Sequence, residues 1–80
     1  MLDLRPNCEC CDCHLPPESR EARICTFECT FCAACAESRF GGVCPNCGGD
    51  FAPRPIRPAA LLKTYPASIK RVTKPHAACA

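Results

Sequence analysis

Eight of the eleven cysteines in this 80-residue chain form four pairs with the spacing of metal ligands. The pairs are Cys8/Cys11, Cys25/Cys29, Cys32/Cys35 and Cys44/Cys47. Each pair encloses only two or three residues, so a tight turn can present both sulfurs to one ion. Structural zinc prefers four thiolates in a tetrahedron, and two such sites use all four pairs. The spacing therefore predicts two structural Zn²⁺ ions.

The order of the pairs along the chain allows two arrangements. Consecutive pairing would join the first pair with the second and the third with the fourth. Interleaved pairing gives two different ligand sets: Cys8, Cys11, Cys32 and Cys35 at site 1, and Cys25, Cys29, Cys44 and Cys47 at site 2. We favour interleaving, because it ties the ends of a chain with few large apolar residues through both sites.

The first ligand loop offers more donors than one site needs. Cys10 and Cys13 repeat the C-x₂-C spacing, and Cys11 with His14 gives a third choice. Cys8 with Cys11 is the preferred pair. Cys10 and Cys13 are then spare thiols that act as small, partly buried fillers, and His14 is solvent-facing or hydrogen-bonded.

Metal is expected because the chain is too short to fold by apolar burial alone. Only ten apolar residues larger than alanine and cysteine lie in residues 1–52. Ordering each residue costs roughly 1.5 kcal/mol, whereas a structural zinc contributes roughly 10–16 kcal/mol in finger peptides. We expect Phe27, Phe31 and Phe40 to form a small core between the two metal sites.

The sequence shows neither a secretion signal nor a membrane-spanning stretch. Its N-terminus has no apolar run and no cleavage-site pattern, and no apolar stretch reaches the thickness of a bilayer. We therefore expect a cytoplasmic chain with reduced thiols, in which C-x₂-C pairs indicate metal. The odd number of cysteines also argues against a fully paired disulfide framework.

Short elements must position the cysteine pairs. Alternating β-branched and aromatic residues predict a hairpin or two brief strands in residues 22–31. Alanine, glutamate and arginine predict one short helix over residues 33–39, which ends before Gly41 and Gly42. In the last ligand turn, Pro45 presets the backbone and a following glycine supplies a positive φ. The fold class is thus a small metal-stabilised α+β domain.

The composition changes near residue 53. We divide the chain into a two-zinc cross-brace domain, residues 1–52, and a Pro-rich basic tail, residues 53–80. All eight acidic residues lie in the first part, whereas the second carries six cations and no acid. The tail is predicted to be a solvated extension that could also lie back on the acidic head or meet an acidic partner. Cys79 and His76, near its end, are expected to be incidental.

Within the tail, two segments have local preferences. Residues 54–58, Arg-Pro-Ile-Arg-Pro, are predicted to be extended, close to polyproline II. Residues 59–65 are predicted to form one or two helical turns that begin after Pro58.

The central segment Cys29-Thr30-Phe31-Cys32-Ala33-Ala34-Cys35 resembles the signature of RING-type cross-brace fingers. Val43-Cys44-Pro45-Asn46-Cys47 resembles their final ligand pair. The likeness covers about residues 8–47 and implies a RING-like, treble-clef-like cross-brace. Cys29 stands where many RING fingers have histidine.

A second resemblance covers nearly the whole chain. It rests on six segments: Arg5-Pro6-Asn7-Cys8-Glu9, Leu15-Pro16-Pro17, residues 24–32, Cys44-Pro45-Asn46-Cys47-Gly48-Gly49, residues 54–58 and Tyr65-Pro66-Ala67-Ser68. These are similar to a family of short bacterial proteins with a domain of unknown function, number twelve seventy-two. The resemblance implies a bacterial, cytoplasmic, zinc-finger-like protein with no established activity.

The sequence favours a structural zinc protein over an enzyme. It contains neither a defensible serine–histidine pair nor a glycine-rich phosphate loop, and two complete four-cysteine shells leave no open metal position. We expect a protein–protein interaction module with an unidentified protein partner, no membrane association, and a monomer as the favoured state.

Three alternatives accompany this hypothesis. Spare thiols beside a metal site, Cys10 and Cys13, would suit a thiol-based redox or zinc-release sensor. The RING likeness suggests an E3-like adaptor, although Glu9 and Cys10 stand where such ligases carry an aliphatic residue. Nucleic-acid binding through the basic tail lacks the aromatic platforms that single strands need. An iron–sulfur cluster is disfavoured, because Arg39 replaces the fourth cysteine of a ferredoxin run.

Overall fold

The computed structural model of the chain describes residues 2–79. Its centre is a three-stranded antiparallel sheet with the order β2-β1-β3. The strands are β1, Ala22–Ile24, β2, Thr30–Cys32, and β3, Ala52–Pro53. Arg23 of β1 faces Phe31 of β2, and Ile24 faces Ala52 of β3. The hairpin predicted in residues 22–31 is therefore confirmed, and β3 adds an edge strand that the sequence did not predict.

The helix predicted over residues 33–39 is also present. Ala33 and Ala34 begin it, and Cys35–Arg39 continue it as a π-helix. The Phe40 amide donates to the Cys35 carbonyl oxygen at 3.1 Å, which is the wider spacing of a π turn. A short helix α1, Ala59–Leu62, follows Pro58 as predicted, and a 3₁₀ turn, Ala77–Cys79, lies near the end of the tail. Within residues 2–79, none of the helices combines the length and the hydrophobicity that crossing a bilayer requires.

The small aromatic core is centred on Phe31, which is fully buried. The ring centroids of Phe40 and Phe51 lie 5.0 Å and 5.4 Å from that of Phe31, and both pairs pack edge to face. The prediction that Phe27 belongs to this core is wrong, because its residue surface is 75% exposed. Phe27 lies in a tight turn that aims its amide at a cysteine sulfur, so its side chain points to solvent.

The basic tail lies back on the head. The guanidinium of the buried Arg54 donates to the carbonyl oxygens of Arg5 at 2.8 Å and Pro16 at 2.9 Å. Further along, the Ser68 amide donates to the Asp3 carbonyl oxygen at 2.9 Å. The sequence allows three possibilities for the tail: a solvated extension, a return to the acidic head and contact with an acidic partner. The structure shows the return to the head. The boundary at residue 53 stays a prediction, although β3 spans it.

A disulfide joins Cys10 to Cys79. The expectation that Cys10 is a spare thiol and Cys79 incidental is therefore wrong for both residues. The return of the tail places their Cα atoms 5.4 Å apart, within the range that a disulfide requires. His76, also expected to be incidental, contacts a buried carboxylate described below. The chain thus contains one oxidised pair where the sequence suggested reduced thiols.

Candidate metal centre

The first cysteine group joins the N-terminal loop to the end of strand β2. The sulfurs of Cys8, Cys11, Cys13 and Cys32 all lie within 4.8 Å of one another. The Cys8 amide donates to the Cys13 carbonyl oxygen at 3.0 Å, which closes the loop. The structure therefore brings together three of the four predicted site 1 ligands and adds Cys13, which was expected to be a spare thiol.

Backbone amides point at the sulfurs of this group. The amides of Cys10 and Cys11 approach the Cys8 sulfur at 3.4 Å and 3.5 Å. The Cys35 amide approaches the Cys32 sulfur at 3.4 Å, where the chain turns into the helix. Amides in this position stabilise a thiolate by hydrogen bonding to its charge. The loop is thus arranged for sulfurs that carry negative charge.

The second group joins the β1–β2 turn to the Pro45 turn. Its members within 4.8 Å of one another are Cys25, Cys44 and Cys47. The amides of Phe27, Asn46 and Gly49 approach these three sulfurs, in that order, at 3.3–3.4 Å.

Glycines shape the chain after the last cysteine of this group. Gly48 has a φ of +77°, which confirms the predicted need for glycine after Cys47. A Cβ at Gly49 would lie 3.2 Å from the Thr26 side chain and 3.5 Å from the Cys47 sulfur. A side chain at this position would therefore require the Thr26 side chain to shift by a few tenths of an ångström.

Cys29 and Cys35 lie at the borders of these groups and outside the 4.8 Å sets. Both are buried. Burial raises the pKa of the Cys35 thiol, and so do its contacts with the sulfurs of Cys32, Cys11 and Cys8. Burial raises the pKa of Cys25 to about 12, and the contact with the Cys29 side chain adds to this rise. Each predicted fourth ligand therefore borders the group to which interleaving assigns it, and the full eight-ligand assignment remains a prediction.

One thiol in each group ionises readily. Hydrogen bonds from the Thr26 hydroxyl and the Gly49 amide lower the pKa of Cys47 to about 6. Burial alone would raise the pKa of Cys11, but hydrogen bonds from Cys13, Cys8 and Cys32 outweigh it and lower the pKa to about 7. The pKa of Cys13 rises to about 12 through burial and its sulfur neighbours.

The donor sets fit zinc. Both groups consist only of thiols, which are soft ligands. Once ionised, the thiolates within each group would repel one another. Backbone amides already point at five of the seven grouped sulfurs: those of Cys8, Cys25, Cys32, Cys44 and Cys47. A dication is the natural counter-charge for such a set. His14 is exposed, and Cys10 is bonded to Cys79, so neither lies in a sulfur group.

A second feature of this region is a buried carboxylate that the sequence pattern does not indicate. Glu9 lies inside the first ligand loop, and its side chain is only 2% exposed. Its Oε1 accepts from the Asn46 side-chain amide at 2.7 Å and lies 3.2 Å from His76 Nε2. A charged residue beside a cysteine gives no local signal of burial. The excess of cations in the tail was the available indication that a buried acid needed partners.

Comparison with known proteins decides the family. A profile described as a protein of unknown function, DUF1272, matches residues 1–57, which include all the cysteines of both groups. The chain belongs to the DUF1272 family. This confirms the relationship predicted from the six sequence segments. An uncharacterized protein from Rhizobium meliloti (strain 1021) is 68% identical over 76 residues, which are 95% of this chain and 90% of that protein. No solved structure matches the DUF1272 chain.

Proposed function

We propose that the chain is a structural zinc protein whose two Zn²⁺ ions hold together a non-catalytic, RING-like protein-interaction module. Site 1 would use Cys8, Cys11, Cys32 and Cys35, and site 2 would use Cys25, Cys29, Cys44 and Cys47. Zinc bound by thiolates supplies folding energy in such a chain and no reactive group.

One observation carries this proposal: the sulfur groups join cysteines in the interleaved order. Cys32 lies with Cys8 and Cys11, whereas Cys25 lies with Cys44 and Cys47. Consecutive pairing would instead require Cys25 beside Cys11. The crosswise grouping of distant cysteines supports a cross-brace, and it favours two separate ions over one.

An interaction role is favoured by what surrounds the metal sites. Phe27 and Val43, which lie close to members of the second sulfur group in the sequence, are 75% and 53% exposed. Exposed apolar residues on a rigid metal-bound turn suit contact with another protein. Four thiolates on each ion would leave no position for substrate or water, so catalysis by the metal is not part of the proposal.

Native mass spectrometry of the purified chain tests the zinc proposal directly. We expect a mass increase corresponding to two zinc ions, which a strong chelator removes in parallel with loss of the folded circular dichroism spectrum. A zinc-free chain that keeps a cooperative melt would contradict the proposal, and so would a stoichiometry of a single ion. The Cys10–Cys79 pair should account for a further loss of two hydrogens in the metal-free mass.

A second function is favoured by the position of Cys13. Its sulfur lies within 4.8 Å of three other sulfurs in the first group, so a fifth thiol adjoins a four-ligand site. A peroxide could oxidise the Cys11 thiolate to sulfenic acid, which would condense with the Cys13 thiol to a disulfide and release water. Zinc at site 1 would then lose a ligand. If mild peroxide releases no zinc, this sensor function is excluded.

A further inference from the structure

The carboxylate of Glu9 is buried but only half satisfied. Its Oε1 receives hydrogen bonds from Asn46 at 2.7 Å and His76 at 3.2 Å. Its Oε2 has no hydrogen-bond partner. Arg5 approaches Oε2 at 3.9 Å, and Lys74 approaches Oε1 at 3.8 Å, which are long distances for charge-assisted bonds. A buried carboxylate oxygen without a hydrogen-bond partner is costly. A cationic side chain that hydrogen-bonds to Oε2 would therefore bind this site favourably.

The end of the tail occupies this site as a segment without α-helix or strand that ends in the 3₁₀ turn Ala77–Cys79. We call residues 71–79 the C-terminal strap. The strap and the first ligand loop exchange hydrogen bonds: the Asn7 side-chain amide donates to the Val72 carbonyl oxygen at 2.9 Å, and the Val72 amide donates back to Asn7 Oδ1 at 3.1 Å. The Lys74 amide donates to the Glu9 carbonyl oxygen at 3.2 Å. The strap therefore binds the first ligand loop through its main chain, as a peptide ligand can.

The strap also contacts the surface beneath it through an ion pair and through aromatic rings. Arg71 forms an ion pair with Asp12 at 2.9 Å. The His76 ring lies over the aromatic core, 5.8 Å from Phe31 and 5.7 Å from Phe40 between ring centroids. The surface beneath the strap thus combines acidic side chains, main-chain hydrogen-bonding groups and aromatic edges. Such a surface suits an extended basic peptide.

We propose that the surface formed by Asn7, Glu9 and Asp12 is a docking site for an extended arginine-containing peptide of a partner protein, and that the strap is its built-in competitor. This inference rests on the proposed interaction role. Arginine is chosen because its planar fork can meet both oxygens of one carboxylate, whereas the strap leaves Oε2 without a hydrogen bond.

The Cys10–Cys79 disulfide holds the competitor in place. It joins the last turn of the strap to the residue that follows Glu9. Because the strap is part of the same chain, it competes at a high effective concentration. The disulfide adds a second covalent link, which makes displacement of the strap harder still. Reduction by a dithiol would open the site: one reductant thiolate attacks a sulfur of the pair, the other cysteine leaves as a thiol, and the second reductant thiol releases the first cysteine. The reductant is left as a disulfide, and the protein as two thiols.

Peptide binding to the zinc-loaded full chain tests this proposal. The probe is a fluorescent peptide that copies residues 70–78 and carries His76→Arg, and the control peptide carries His76→Gln. We expect the Cys79→Ser protein to bind the arginine peptide at least about tenfold more tightly than the disulfide-bonded protein does. Adding Glu9→Gln should abolish that gain. Ala77→Ser, which keeps the disulfide, is the matched control and should bind like the unaltered protein.

The outcomes separate this inference from the zinc proposal. Equal binding by the Cys79→Ser and disulfide-bonded proteins would overturn the docking site, and so would equal binding of the arginine and glutamine peptides. If either happens while two zinc ions remain bound, the zinc module stands and only the inference fails. A zinc count below two in the unaltered protein would instead refute the proposed function.

Hydrogen exchange gives a second test that needs no variant. The Val72 and Lys74 amides, which bond to Asn7 and Glu9, should exchange about tenfold faster after reduction of the disulfide in the unaltered zinc-loaded chain. Unchanged exchange would show that the disulfide does not hold the strap, and would overturn its role as a covalently held competitor.

Discussion

The sulfurs of Cys11 and Cys32 lie 3.8 Å apart, although 21 positions separate them in the sequence. Cys11 belongs to the first ligand loop, whereas Cys32 ends strand β2. The contact therefore joins the beginning of the chain to its sheet, and Cys25, in the turn after β1, reaches forward to Cys44 and Cys47. With one fully buried phenylalanine at its centre, the domain has little apolar core besides its sulfurs.

Removal of metal should unfold the chain. Since a structural zinc contributes roughly 10–16 kcal/mol in finger peptides, and a small domain is stable by roughly 5–15 kcal/mol in total, loss of both ions should abolish the cooperative melt. Circular dichroism during titration with a chelator measures this, and readdition of zinc should restore the spectrum. A calcium-selective chelator is the control. A folded spectrum at complete zinc removal would contradict the expectation.

Serine variants should separate the two sites. Cys8→Ser and Cys32→Ser, although distant in sequence, should weaken the same ion, and Cys25→Ser and Cys44→Ser should weaken the other. Cadmium substitution followed by ¹¹³Cd NMR gives one resonance for each site, so each variant should perturb a single resonance. If Cys25→Ser perturbs the resonance that Cys8→Ser perturbs, the arrangement is consecutive.

Cys13→Ser decides the role of the fifth thiol. If the predicted site 1 ligands are correct, this variant should keep both cadmium resonances, because Cys35 completes the set. Its expected effect on the metal count is therefore nil, in contrast to Cys35→Ser, which should lose about one ion. The reverse result would place Cys13 in the ligand shell and Cys35 outside it.

Local patterns predicted the elements well because short-range chemistry determines them. Alternation around Ile24 and Phe31 identified the hairpin, and the run of alanines before Gly41 identified the helix. Cysteine spacing likewise anticipated that Cys32 lies with Cys8. These features depend on backbone preferences and on turns of a few residues, which are visible in a sequence window.

Features that depend on how distant segments meet were missed. Phe27 was assigned to the core from its hydrophobicity, but the turn after Cys25 directs its amide to sulfur and its ring to solvent. Glu9 and His76 are separated by 67 positions, so nothing local indicates their contact. The Cys10–Cys79 disulfide escaped prediction for the same reason, since it depends on the path by which the tail returns.

Arg54 should be essential for fixing the tail to the head. Its guanidinium is buried and donates to carbonyl oxygens of Arg5, Leu15 and Pro16. Arg54→Ala should leave these acceptors unsatisfied and lower the free energy of unfolding by roughly 2–4 kcal/mol. Thermal unfolding of the zinc-loaded chain measures this. Arg20→Ala, at an exposed position, is the control and should change stability by less than about 0.5 kcal/mol. Equal melting of the two variants would refute the structural role of Arg54.

Phe31 and Phe27 offer a matched pair for the core. Phe31→Ala removes a fully buried ring that contacts Phe40 and Phe51, and it should cost about 3–5 kcal/mol. Phe27→Ala removes a ring that is 75% exposed and should change stability by less than about 0.5 kcal/mol. Denaturant melts of both variants with zinc bound measure the difference. A larger loss for Phe27→Ala would reverse the assignment of the core.

Zinc at site 2 should depend on the Thr26 hydroxyl as the pH falls. The hydrogen bond of that hydroxyl to the Cys47 sulfur, at 3.5 Å, is the main cause that lowers the thiol pKa from 9.0 to about 6. The lowered pKa thus stabilises the folded protein in full above pH 9.0, and this stabilisation is lost as the pH falls through about 6.

Protons compete with zinc for the thiolate. Thr26→Val should raise the Cys47 pKa, so site 2 should lose zinc at a pH higher by up to roughly half a unit. Acid titration with a chromogenic zinc indicator measures the midpoint. Thr64→Val, at an exposed tail position, is the control, and an unshifted midpoint in Thr26→Val would show that the hydroxyl does not stabilise this thiolate.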